Sequence, residues 1–145
     1  VGPIPKDERD WKIGHSQQKG NLSLSEWVVP GETVQGWTEL ITLEMYANAP
    51  AHLTLDQYLS VKTESVRKQC ANVTEQVISK GPLEAIVERS LLSCAPLRDE
   101  YHVAKVLLGP RAMTNVVYAR TTPFDSDTRA KWLEIVTKTR MMGDC

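Results

Sequence analysis

Residues 26–47, EWVVPGETVQGWTELITLEMYA, constrain the fold more than any other stretch, because they combine two of the four tryptophans, a Pro-Gly turn and the clearest alternating run in the chain. Over residues 39–47, Ile41, Leu43, Met45 and Ala47 fall on one side, and Leu40, Thr42, Glu44 and Tyr46 on the other. That two-residue period is the mark of a half-buried strand with one face turned inward. Ahead of it, Pro30 presets φ for the first central position of a turn and Gly31 accepts the positive φ that a type II turn requires next. Trp27 and Trp37 flank this turn. Rings so placed are expected at the edge of the core, since tryptophan is usually well buried but seldom wholly so.

Around this stretch the chain alternates between short extended segments and turns. Residues 11–17 and 22–29 read as a hairpin joined by Lys19-Gly20-Asn21. Thr54 with Gln57 three residues on is a capping box, and Leu55, Tyr58, Leu59, Lys62, Val66 and Cys70 follow at helical spacing on one face. Strands are expected over 75–79, 83–94, 101–108 and 112–120, the last two joined at Gly109-Pro110-Arg111. The run Val116, Val117, Tyr118 suits a strand covered on both faces. Asp125, Ser126 and Asp127 open a final helix over about 126–142, with Trp132, Leu133, Ile135, Val136 and Thr139 inward and Gly143 as its stop. Strands, helix, four strands and helix with hairpin connections predict an α+β domain, an antiparallel sheet of about six to seven strands packed with two main helices.

A length of 145 residues suits one domain with a sizeable core. We assign it to residues 11–145 and read residues 1–10, VGPIPKDERD, as a flexible tether. Lys+Arg 17 against Asp+Glu 18, scattered along the chain, lacks the basic stripe of a nucleic-acid binder. The apolar runs fall far short of the roughly 20 residues of a membrane span. A start at Val1 with no charged-then-apolar leader fits either a mature exported protein or a trimmed piece of a longer chain, with room for tethering upstream of Val1.

The cysteines are Cys70, Cys94 and Cys145, in no zinc-like spacing. Cys70 and Cys94 each end an expected element, and these elements should pack together, which favours a disulfide between them over two buried thiols. Closing that loop would stabilise the fold by roughly 3 kcal/mol on the chain-entropy argument, and it implies an oxidising compartment.

The element order looks like the PsbP-like architecture, in which helices sandwich a central antiparallel sheet. More locally, VPGE-x(4)-WTELIT, the cysteine of SLLSCAP, the strands paired around a G-x-x-A-M turn and a closing tryptophan helix ending in Cys145 resemble a group of small, uncharacterised exported bacterial proteins. The resemblance implies an exported, disulfide-bonded domain with no established chemistry.

Little in the chain points to catalysis. His15, His52 and His102 have no second ligand at metal spacing. Cys70 ends a helix, where the dipole opposes a thiolate, and Cys94 closes an apolar strand. No G-x-S-x-G elbow and no phosphate-binding glycine pattern occurs. The acidic pairs Asp125 with Asp127 and Asp99 with Glu100 lack a calcium-loop spacing, and Asn21-Leu22-Ser23 and Asn72-Val73-Thr74 fit the glycosylation acceptor pattern, which arises often by chance. No cofactor is expected.

Trp27, Glu32, Trp37 and Glu39, if exposed together, would form a mixed apolar and acidic patch for a partner surface. The leading expectation is a non-catalytic exported domain, periplasmic or on the cell surface, that binds another protein as an envelope accessory or immunity-type factor. Two alternatives stand beside it. One is a small-molecule or lipid carrier with a cavity between sheet and helix lined by Met45, Met113 and aromatics; the other is a small hydrolase or thiol enzyme using His102 or His15.

Overall fold

The computed structural model describes residues 4–48 and 53–140. Seven strands form one antiparallel sheet: β1 (Lys12–Lys19), β2 (Leu22–Val28), β3 (Glu39–Ala47), β4 (Asn72–Lys80), β5 (Glu84–Leu92), β6 (Glu100–Leu108) and β7 (Ala112–Arg120). Two helices accompany them, α1 (Leu55–Gln69) and α2 (Ser126–Thr137). The spatial order is β1-β2-β3-β7-β6-β5-β4, so two meanders meet where β3 pairs with β7, Ile41 opposite Tyr118.

The turn ahead of β3 is formed as its residues dictate: Gly31 has φ +89° and the Glu32 amide donates to the Val29 carbonyl at 3.1 Å. Both faces of the β3 start are covered, with Leu40 buried on one side and Ile41 on the other. The expectation of a single inward face is thereby corrected, because the sheet carries a helix on each side.

On one face lies α2. Trp132 stacks on Tyr118 with ring centroids 3.7 Å apart and planes 6° from parallel, Trp11 meets Trp132 edge-on, and Val136 packs on Ile86 and Val103. On the other face lies α1, whose Leu55, Tyr58 and Leu59 pack on Val87, Val106 and Met113. Thr54 and Gln57 exchange both hydrogen bonds of the capping box. β7, central and sandwiched, is buried along all but its last residue.

Beyond shifts of one or two residues at the ends of β1, β2, β5 and β6, three differences from the sequence reading have a physical reason. β4 spans nine residues instead of five, since its pairing with β5 runs from Asn72 opposite Leu92 to Lys80 opposite Ala85 despite its polar composition, interrupted by a bulge between Val77 and Ser79. α2 ends at Thr137, where the buried Lys105 ammonium donates to the carbonyls of Thr137 and Thr139 at 2.9 Å each and so takes up acceptors that the helix end leaves free. Gly143, the expected stop, lies outside the described residues. The segment read as a flexible tether is anchored over its described part: the Asp7 carboxylate is buried and accepts from the Trp11 indole at 2.8 Å, the Arg9 Nε at 3.0 Å and Lys131 at 2.9 Å.

Candidate binding site

The four residues singled out around the Pro-Gly turn do not make one patch. Trp27 and Trp37 lie on opposite faces of the sheet, Trp27 against the Trp11, Ile41, Tyr118 and Trp132 cluster and Trp37 over Val28, Leu40, Val117 and Ala119. Cross-strand pairing puts Trp27 opposite Ile41 and on its face, whereas Trp37 lies in the loop ahead of β3 and folds back onto the face of Leu40. Glu32 is spent on its own loop, accepting from the Thr38 amide at 2.8 Å and hydroxyl at 2.6 Å. Glu39 is clamped by Arg9 through two hydrogen bonds, 2.6 and 2.9 Å, and by the Tyr118 hydroxyl at 2.5 Å. The Arg9 bonds hold its carboxyl below the usual range against burial, while burial and then Glu39 itself push the Tyr118 hydroxyl up.

Cys70 and Cys94 form the disulfide, buried beside Leu91 with Val66 and Val73 packed on it. Cys145 and His52 lie outside the described residues. His15 Nε2 lies 3.3 Å from Gln17 Oε1, and His102 Nε2 lies 2.8 Å from Glu100 Oε1. Among the described residues no group of three or more His, Cys, Asp or Glu side chains is placed to hold a metal ion.

The two flanks of α1 carry the openings of interest. On one flank an open groove of about 690 Å³ runs between the helix and β4, the edge strand. Leu59 and the exposed Val77 form its apolar part, and Arg67, Lys68 and Lys80 alternate with Asp56, Glu64 and Glu75 around it.

On the other flank is a smaller pocket of about 130 Å³ at the disulfide end of the helix. Lys62 and Val66 of α1 form one wall, Arg89 of β5 and His102 of β6 the floor, and Leu97 and Arg98 the opposite wall. The Arg89 guanidinium is buried, its side chain 2% exposed, and donates through Nε to Glu75 at 2.7 Å while its Nη2 has no partner among the described residues. Arg98 lies over the Trp37 ring, 5.2 Å from its centroid, so that tryptophan braces the pocket wall. Beyond the pocket on the same face, Lys62 is 3.5 Å from Glu44, which accepts from Asn115 at 3.0 Å. Burial pushes the Glu26 carboxyl up; His15 opposes this, and Glu100 and Glu44 add to it.

Of these side chains the sequence reading places Lys62 on the inner face of the helix and names His102 for a different role, but it passes over Arg89 and Arg98, although a signal for Arg89 is present. Ala85, Val87, Arg89 and Leu91 share a parity in β5, which places an arginine on an otherwise apolar inner face. Comparison with known proteins finds no matching family model, curated sequence or solved structure.

Proposed function

We propose that the protein is a non-catalytic exported domain, periplasmic or at the cell surface, that works by binding another protein. The observation that supports this most is the groove between α1 and β4. An edge strand leaves one row of backbone donors and acceptors unpaired, and a partner's extended segment added there would lay its side chains against Val77 and Leu59. The bulge between Val77 and Ser79 restricts regular pairing to residues 72–77. Charges of both signs around the groove suit orientation of a partner more than enclosure of an apolar molecule. The buried disulfide and the absence of any helix long and apolar enough to cross a membrane among the described residues are compatible with export.

A photo-reactive residue at Val77, compared with one at Asp127 on the far side of the sheet, tests the reading in the producing cell. One discrete protein adduct from position 77 and none from 127 is expected. Adducts only from 127, or from neither, would overturn it.

A further inference from the structure

We propose that the pocket between α1 and the β5–β6 floor is a carboxylate site, independent of the groove on the helix's other flank. Lys62, Arg89 and Arg98 bring three cationic side chains to its lining against the single carboxylate of Glu100, which is itself engaged by His102 at 2.8 Å. Glu75 and Glu44 offset two of the cations from outside the lining, Glu75 through Arg89 Nε and Glu44 through Lys62. What they leave is the Arg89 Nη2, a buried donor with no acceptor among the described residues. Such a donor carries a desolvation cost that an incoming oxygen would relieve, and a charge-assisted bond from a guanidinium N–H to a carboxylate oxygen is stronger than a neutral one.

Size and lining narrow the ligand further. A volume of about 130 Å³ admits one small group, and Val66, Leu91, Leu97 and the disulfide give it apolar walls. An aliphatic stem ending in a carboxylate uses both halves of the site, whereas inorganic phosphate has no use for the apolar half. The same chemistry comes from two sources, a free short-chain acid or the C-terminal carboxylate of a protein segment.

Backbone amide shifts of the intact protein, followed by NMR during titration, provide the test. Butyrate is expected to give saturating shifts confined to the pocket residues, chloride at equal ionic strength none, and phosphate weaker binding than butyrate. Arg98→Ala and Lys62→Met, both at partly or fully solvent-exposed positions that leave the core intact, are each expected to weaken butyrate at least tenfold; Arg89→Met is the sharper variant if it folds. A tripeptide with a free C-terminus and its amidated form separate the sources: binding of the free form alone assigns a protein C-terminus, and exclusion of both with butyrate retained assigns a small acid. Non-saturating shifts equal to those in chloride, phosphate binding more tightly than butyrate, or unchanged affinity in both surface variants would overturn the proposal. None of these outcomes depends on whether Val77 captures a partner.

Discussion

Asp7 and Lys131 form an ion pair of 2.9 Å between side chains 124 residues apart, joining the N-terminal segment to α2. The acceptor is the buried member, with its side chain 1% exposed, while Lys131 stays partly in water. Asp7→Ala therefore strips the acceptor from the Trp11 indole and from two cations at once. A loss of about 1–3 kcal/mol is expected, read as a lower urea midpoint, with faster tryptic cleavage after Arg9. Equal cleavage rates in the two proteins would show that the segment is held by something else.

The same carboxylate sets an acid limit. Burial alone would raise its pKa, but the hydrogen bonds from Arg9, Lys131 and Trp11 outweigh it and hold Asp7 well below the ordinary range. A carboxyl depressed in the folded state contributes stability that is present above its unfolded value near 3.8 and lost as pH falls below that value. The urea midpoint of Asp7→Asn should accordingly lie below wild type at pH 7 and converge with it as pH drops beneath about 4. A constant gap down to pH 2 would contradict the assignment.

Glu26 behaves with the opposite sign. Its carboxyl is raised by burial, so charging it costs folded-state stability as pH rises above the ordinary carboxylate value. Glu26→Gln is expected to raise the melting temperature slightly at pH 7 and not at pH 3.5. A lower melting temperature at pH 7 would mean that the charge is engaged favourably.

Cys70 and Cys94, 24 residues apart in sequence, close their loop by a disulfide. Replacing both by serine should cost about 3 kcal/mol. Thiol titration of the denatured, unreduced protein should find one reactive group, that of Cys145. Three would remove the disulfide and the main argument for an oxidising compartment.

Trp132 is 1% exposed between Tyr118 and Trp11. Trp132→Ala should destabilise by about 3–5 kcal/mol and alter the near-ultraviolet circular dichroism. Trp37→Ala should instead leave that signal largely intact and loosen Arg98, weakening carboxylate binding at the pocket.

Much of the architecture was legible because it rests on local signals. The capping box at Thr54, the glycine turns and the parity of Glu39–Ala47 each specify backbone geometry within a few residues. The disulfide followed from two element ends. The site was not legible for a different reason: parity assigns a side chain to a face but does not say which loop folds over that face. Trp37 lies only ten positions after Trp27 yet ends on the other side of the sheet, because the turn at Pro30-Gly31 carries the chain around its end. Asp7 lay in a segment whose proline and charge content read as solvated, and only its distant partners in α2 and the β1 approach explain its burial.

The junction of β3 with β7 also governs how the chain reaches this state. A ribosome releases β1, β2 and β3 long before Arg120, the partner of Glu39, so a nascent three-stranded unit formed then would have its inner border open. Late closure of so long a loop predicts slow maturation and a window of vulnerability to clumping, during which a holding chaperone would find its target in β3.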